Sequence, residues 1–136
     1  MVSIQVEEKS EGVTSAILDG LREHIEKTVG GLENQPLSVT LRDGETLLGG
    51  LIGATYFGWL FIQYFWIDEQ YRGKGFGKQL LDAAENEARR RGARNVFLDT
   101  LSLQAPEFYK KYGYREYGRL DAFPVGHYRS WMTKAL

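Results

Sequence analysis

Three glycines in alternate positions, within the stretch RGKGFG at residues 72–77, constrain this chain more than any other feature. The preceding segment, residues 59–67, is almost entirely apolar and predicts a central β-strand. The following segment, up to about Gly92, repeats apolar residues at helical spacing. Glycine loses more conformational freedom on folding than any other residue, so three of them at a helix start need a reason. Either the loop is only a tight turn, or its backbone must approach a ligand closely.

The chemistry of such a loop favours an anion, because the first N–H groups of a helix are unpaired and lie at the positive end of its dipole. Arg72, Lys74 and Lys78 add positive charge. A Walker loop requires Ser or Thr after the lysine, but Gln79 follows Lys78. The dinucleotide fingerprint G-x-G-x-x-G is not met either. The remaining pattern is R-x-x-G-x-G, which predicts a phosphate site.

The rest of the chain predicts one domain over residues 1–136, with helices packed on a mixed sheet. A strand is expected in residues 2–8, followed by an amphipathic helix with Val13, Ile17, Leu21, Ile25 and Val29 on one side, ended by Gly30-Gly31. Further strands are expected at residues 37–43, 46–57, 59–67, 95–100, 114–120 and 127–136, and a short helix at 105–112.

Composition excludes several classes of function. The net charge of -1 argues against non-specific binding to nucleic acid, which needs a cationic excess. The absence of cysteine excludes thiolate metal sites and cysteine nucleophiles, and two histidines are few for a histidine-rich metal site. The chain has neither a basic-then-apolar signal nor an apolar run of about 20 residues, so we expect no membrane span and a cytoplasmic location.

Two motifs together resemble the GNAT N-acetyltransferase superfamily. The first is R-x-x-G-x-G at residues 72–77, and the second is APEFYKKYGYRE, which is similar to the family pattern A-x-x-x-Y-x-K-x-G-F. The second pattern matches Ala105, Tyr109, Lys111, Gly113 and Tyr114. The resemblance covers nearly the whole chain. It implies a mixed α/β (α+β) fold with a mostly antiparallel central sheet of about six to seven strands, flanked by helices, with a splayed central strand pair.

The resemblance also implies acetyl-CoA as co-substrate and assigns residues to it. The loop residues that would bind its pyrophosphate are Arg72, Gly73, Lys74, Gly75, Phe76, Gly77 and Lys78. The residues whose main chain would bind pantetheine are Phe65, Trp66 and Ile67. The family tyrosine beside the thioester sulfur corresponds to Tyr109 and would protonate the leaving thiolate. Many members carry an asparagine before it, and here Ser102 or the nearby Gln104 would take that role.

The implied chemistry is acyl transfer by direct attack of an amine on the acetyl-CoA carbonyl. The amide of Ile67 is a candidate oxyanion donor. Candidate general bases are Asp68, Glu69 and His127, with ordered water as the alternative. Each has an ordinary interpretation as well: a solvated loop edge for the two carboxylates and a structural role for the histidine. Asp99, at the end of a buried strand, is a further candidate base, with a capping role as its ordinary interpretation.

An aromatic cluster surrounds the predicted central strand, with members Tyr56, Phe57, Trp59, Phe61, Tyr64, Phe65 and Trp66. Alternate residues of a strand face opposite sides, so about half belong to the core and the rest would line an acceptor pocket that Phe123 and Tyr128 close. The charged run at residues 85–91 is interpreted as a solvated helix face, although an arginine there could meet the ribose phosphate of CoA.

Three functions follow from the resemblance. The first is N-acetylation of a small-molecule primary amine, the second is acetylation of a protein lysine or N-terminus, and the third is a non-catalytic acyl-CoA sensor. Binding of nucleic acid through RRRGAR is disfavoured by the overall charge. Relatives that pair through strands or terminal segments make a homodimer plausible.

Overall fold

A computed structural model describes residues 1–136, which form two compact units, Met1–Leu32 and Glu33–Leu136. The first unit contains one helix, α1 (Val13–Thr28), which Gly12 precedes with a φ of 78°. The carboxylate of Glu26 accepts the N–H groups of Gly31 and Leu32 after the helix. The strand predicted at residues 2–8 is wrong: these residues have no ladder partner in the chain, and a strand exists only through pairing.

The second unit is a six-stranded sheet with two helices. The strands are β1 (Gln35–Asp43), β2 (Thr46–Tyr56), β3 (Trp59–Ile67), β4 (Asn95–Leu101), β5 (Arg115–Asp121) and β6 (Tyr128–Ala135), and the helices are α2 (Phe76–Arg90) and α3 (Pro106–Lys111). The sheet order is β1-β2-β3-β4-β6-β5. Only β3 and β4 run parallel, so the expected mixed fold with a mostly antiparallel sheet is confirmed. None of the three helices is long and apolar enough to cross a membrane.

Two-residue turns join the first three strands. Gly44 has a φ of 59° between β1 and β2, which confirms the predicted turn. Phe57 and Gly58 both have positive φ, 50° and 77°, between β2 and β3, as the favoured hairpin turns require. Phe57 is therefore a turn residue rather than the last residue of the strand.

The core lies between the sheet and α2. Its most completely buried members are Leu51, Leu60, Leu81, Leu98, Val96 and Met132, with Ala84 and Ala88 on α2. The prediction that β3 is central is confirmed by the sheet order. One face of β3 carries exposed rings, with Tyr64 66% and Trp66 49% exposed.

One member of the charged run is buried, which corrects its interpretation as a solvated face. Glu85 on α2 is 2% exposed, accepts a hydrogen bond from the Tyr114 hydroxyl at 3.0 Å and pairs with Lys134 at 2.7 Å. A buried carboxylate is tolerated when both oxygens have partners. The run thus contains one interior anchor among surface ion pairs.

Candidate active site

A cleft opens where β3 and β4 separate. They pair only over Trp59–Ile62 with Asn95–Leu98. The register of β2 and β3 shifts at Gly53, which leaves one additional residue, Gln63, in β3. A side chain on Gly53 would lie 2.1 Å from the Phe61 carbonyl oxygen, so only glycine permits this bulge. Bulges bend strands, and the separation of β3 from β4, the expected splay, begins at this point.

The cleft exposes main-chain groups of β3. The N–H of Asp68 donates to the Leu48 carbonyl at 2.7 Å. Because bonded pairs alternate along an antiparallel ladder, Trp66 also bonds towards β2, whereas Phe65 and Ile67 direct their main-chain groups towards the cleft. The carbonyl of Ile67 is already occupied by the Arg72 guanidinium, at 2.8 Å. The main-chain groups left free are therefore the N–H and carbonyl of Phe65 and the N–H of Ile67. Those of Trp66 are bonded in the β2–β3 ladder.

The glycine loop follows β3 through a short 3-10 turn, Glu69–Tyr71. Gly73 and Gly75 have φ values of 74° and 85°, and a side chain on either would meet no atom within 4 Å. No backbone N–H from residue 73 to residue 78 has an acceptor in the chain, and α2 has no side-chain cap. Six open N–H groups at the positive end of a helix form a site suited to an anion.

Gly77 has a different reason to be glycine. A side chain there would lie 2.9 Å from the ring of Phe108, so the absence of a side chain lets α2 and α3 pack together. The same contact places α3, and with it Tyr109, against the beginning of α2. Only the first two glycines of the loop therefore leave open space for a ligand.

The positive charges of the loop are partly committed within the chain. Lys78 pairs with Asp82 at 2.6 Å, and that hydrogen bond and charge raise the pKa of Lys78. Lys74 lies over the Tyr71 ring at 5.5 Å and has no carboxylate partner. Arg72 uses its Nε on Ile67, which leaves the terminal guanidinium nitrogens free. Lys74 and Arg72 are therefore the cations available to an anion at the loop.

Tyr109 is 7% exposed, and its ring packs edge-on against Phe65 and Tyr114 at 6.3 and 5.6 Å. Its hydroxyl makes no hydrogen bond in the chain. The Ser130 hydroxyl is the one side-chain polar atom that is both fully buried and without a partner, so the Tyr109 hydroxyl is not fully buried. The Tyr109 hydroxyl thus reaches accessible space. Burial, and then the charge of Asp99, raise the pKa of Tyr109 to about 12, so the phenol is protonated at neutral pH.

The raised pKa of Tyr109 predicts a loss of stability in alkali. An unfolded tyrosine ionises near pH 10 and the folded one near 12, so this contribution is complete below pH 10 and lost as the pH rises through 12. Burial raises the pKa of Tyr114 in the same direction. Between pH 9 and 11, urea titrations should show wild type losing about 1 kcal/mol more unfolding free energy than Tyr109→Phe. Parallel curves for the two proteins would contradict the shift.

The three candidate bases have different surroundings. Asp68 accepts the Gln70 N–H at 2.9 Å and caps the 3-10 turn, so its carboxylate already has a partner in the chain. Glu69 is exposed and its carboxylate has no partner in the chain. The Nδ1 of His127 lies 3.1 Å from the Ser102 hydroxyl, which also accepts the Tyr128 N–H at 3.0 Å. Glu69 is the freest of the three.

Ser102 and Gln104, the two alternatives for the family asparagine, differ in their hydrogen-bond partners. Ser102 is held by His127 and Tyr128. The side chain of Gln104 uses only its amide oxygen, which accepts the Leu101 N–H at 2.8 Å and the Thr100 hydroxyl at 3.3 Å. The main-chain N–H of Ser102 donates to Tyr128 in β6. Because main-chain groups alternate in direction along a strand, those of the preceding Leu101 face the cleft. Gln104 therefore lies at the cleft with its amide N–H₂ group free.

Asp99 is not a cap, contrary to expectation. It lies within β4 and binds Arg129, whose Nε and Nη2 are 2.9 and 2.7 Å from one carboxylate oxygen. Arg129 in turn lies over the rings of Phe123 and Trp131, at 5.2 and 4.8 Å. Sequence reasoning did not identify Arg129, because it becomes a neighbour of Asp99 only through the β4–β6 register.

Tyr128, expected to close the acceptor pocket, and the arginines at the end of α2, expected to meet CoA, have partners within the chain. The Tyr128 ring lies under Arg119 at 3.7 Å. Arg90 pairs with Glu87, and Arg91 donates to the Gln35 carbonyl. These arginines end α2, whose 15 residues span about 22 Å from the loop. No cluster of three or more potential metal ligands is present.

Comparisons with known proteins agree with this geometry. The model of the GNAT acetyltransferase family matches residues 7–114. The chain is 35% identical over 120 residues to an acetyltransferase of Agrobacterium fabrum, covering 88% of both chains. It is 36% identical over 110 residues to the blasticidin-S acetyltransferase of Streptomyces morookaense, covering 77% of this chain and 81% of that one. The crystal structure of an acetyltransferase from Agrobacterium tumefaciens superposes with a TM-score of 0.92 at 31% identity, covering 100% of both chains. This chain therefore belongs to the GNAT acetyltransferase family and is an acetyl-CoA-dependent acyltransferase.

Proposed function

We propose that the protein transfers the acetyl group of acetyl-CoA to a primary amine of a small molecule, by direct attack within a ternary complex. The observation that carries the proposal is the Tyr109 hydroxyl, which is accessible and protonated. It lies near the divergence of β3 and β4, because the charge of Asp99 in β4 contributes to its raised pKa. The free main-chain groups of Phe65 and Ile67 face the same divergence. A proton donor and an N–H donor at one opening match the needs of acyl transfer from a thioester.

The residues present fit acetyl-CoA. The open N–H groups at residues 73–78, with Lys74 and the free end of Arg72, would hold the pyrophosphate. Phe65 would bind pantetheine through its main chain, and Gln104 through its free amide. When bound, the thioester supplies the acyl group and a thiolate leaving group.

The bond changes assign a role to each group at the cleft. A nitrogen–carbon bond forms as the neutral amine attacks, and the Ile67 N–H stabilises the oxyanion. The carbon–sulfur bond then breaks, and Tyr109 gives its proton to the departing sulfur. The amine's surplus proton passes to a base open to solvent, for which Glu69 has the free carboxylate. Solvent then returns a proton to Tyr109.

The surroundings of the acceptor favour a cationic amine with an apolar body. Glu69 and Asp68 follow the end of β3, where Tyr64 and Trp66 present exposed rings. Aromatic faces and carboxylates together attract ammonium groups. The blasticidin-S acetyltransferase, a relative at 36% identity, is named for a small molecule, which supports this acceptor class.

An acetyl-CoA thiol-release assay across an amine panel tests the proposal. The panel should contain cationic small molecules, including blasticidin S and polyamines, beside lysine peptides and peptides with free N-termini. We expect kcat/KM for at least one small amine to exceed that of every peptide by tenfold or more. Turnover confined to peptides would replace this acceptor class, and acetyl-CoA binding with no turnover would favour a sensor.

A further inference from the structure

Asp99 has one carboxylate oxygen that no donor in the chain uses. Nε and Nη2 of Arg129 both contact the other oxygen, Oδ1, at 2.9 and 2.7 Å. Oδ2 accepts no hydrogen bond, and it is not fully buried, because the only side-chain polar atom that is both fully buried and without a partner is the Ser130 hydroxyl. The Asp99 side chain, 27% exposed, therefore presents one accessible oxygen.

Asp99 occupies the first position of β4 beyond its pairing with β3. The parallel pairing ends at Ile62 with Leu98, and Asp99 pairs on its other side with Trp131 of β6. Side chains alternate along a strand, and the flanking Leu98 and Thr100 are buried towards the core on the α2 side. Asp99 therefore lies beside the cleft, on the side of the sheet away from α2.

The rings proposed to receive the acceptor lie on the same side of the sheet as Asp99. Tyr64 and Trp66 are exposed there, whereas Phe65 between them packs against the core on the other side. Tyr109 contacts Phe65 at 6.3 Å and belongs to that core. The proton donor and the Asp99 carboxylate thus approach the cleft from opposite sides of the sheet.

We propose that Asp99 binds the acceptor, an inference that rests on the proposed function: Oδ2 accepts an N–H of the attacking amine and favours that amine in its ammonium form. A nitrogen held on one side of the cleft is directed towards a thioester whose sulfur meets Tyr109 on the other side. The nitrogen keeps this contact after it loses its surplus proton, since a neutral primary amine has two N–H groups.

Arg129 makes Asp99 suited to recognition at contact distance. Its guanidinium balances the charge of the carboxylate and lies over the rings of Phe123 and Trp131, at 5.2 and 4.8 Å, which fix its position. A balanced ion pair exerts little force on a distant cation. At contact, however, a charged oxygen forms a hydrogen bond roughly twice as strong as a neutral one. Asp99 thus orients the amine, while the carboxylate of Glu69 stays free to take the proton.

Asp99→Asn tests this role with two molecules: the small amine that wild type acetylates best, and its analogue with a hydroxyl in place of the amino group. Calorimetric titration of the enzyme–CoA complex gives both dissociation constants. The substitution should weaken binding of the amine at least tenfold and of the analogue less than threefold, because Asn keeps an oxygen acceptor but loses the charge. At saturating amine, kcat should change less than threefold, since Tyr109 and Glu69 are unaltered.

Two further variants separate recognition from a loss of structure. Asp43→Asn removes the same charge at the end of the edge strand β1 and should leave both dissociation constants and kcat unchanged. The double variant Asp99→Asn with Arg129→Gln replaces the ion pair by two neutral side chains, so no half-buried arginine loses its carboxylate. It should show the same selective loss of amine binding, and it carries the comparison if the single variant does not fold.

The possible outcomes are distinct. Equal weakening of the amine and its hydroxyl analogue would mean that Asp99 only shapes the site, and a large fall in kcat with unchanged amine binding would make it a base; either result overturns the inference. Unchanged amine binding and kcat in Asp99→Asn would overturn the inference and leave the proposed function standing. A wild type that binds acetyl-CoA but acetylates no small amine would overturn the proposed function, and the inference with it.

Discussion

Gly75→Asp should weaken acetyl-CoA binding roughly 100-fold relative to Gly75→Asn, since a carboxylate would lie among the N–H groups expected to hold the pyrophosphate. Gly75 is the N-cap of α2, with a φ of 85°. Asn and Asp are the side chains that best tolerate this conformation, and both are good N-caps. The two variants thus share shape, strain and capping, and differ by one charge. Calorimetric titration with acetyl-CoA measures the difference.

The same pair of variants tests the interpretation of the loop as more than a turn. Both variants should unfold within about 1 kcal/mol of each other, because the side chain meets no atom within 4 Å. Raising the salt concentration should reduce the gap between them, as expected for an electrostatic effect. Equal acetyl-CoA affinity of the two variants would mean that the pyrophosphate does not bind at this helix start.

Tyr109→Phe should lower kcat about 100-fold, the scale of a lost general acid, while the dissociation constant of acetyl-CoA changes less than threefold. The reason is that the hydroxyl has no partner in the chain, so its removal leaves no unsatisfied group and no cavity in the ring packing. Single-turnover rates at saturating acetyl-CoA isolate the chemical step.

Tyr112→Phe is the matched control, since this tyrosine is the residue after α3 and its ring packs on Phe108 at 5.0 Å. It loses the same oxygen in the same neighbourhood and should retain full turnover. If Tyr109→Phe also retained turnover, the leaving thiolate would depart without protonation by this residue, and the proposed acid role would be lost.

Much of the fold follows from local patterns. The periodicity of residues 76–92, the turn at Gly44 and the apolar run of β3 each predict an element that the structure confirms. Residues 2–8 are the exception, because alternation indicates a capacity to form a strand and pairing decides whether one exists. Apolar composition likewise placed β3 at the centre of the sheet.

The candidate site was likewise predicted only in part from the sequence. The glycine loop and Tyr109 were identified from contiguous motifs, because positive φ and an open helix start are local properties of the backbone. The sequence analysis did not predict the capping contact of Asp68, which it interpreted as a candidate base or a solvated loop edge. It did not predict the partners of Glu85 and Asp99 either, since Tyr114 and Arg129 are 29 and 30 residues away along the chain.

The sequence by itself determined the order of the main elements of the sheet unit, the glycine loop at the start of α2 and the family tyrosine, all of which depend on neighbouring residues. The tertiary structure alone decided which glycines leave space for a ligand, which carboxylates are free, and where the cleft opens. The physical reason is that these depend on strand register. A single bulge at Gly53 turns β3 away from β4 and exposes the main chain of Phe65 and Ile67.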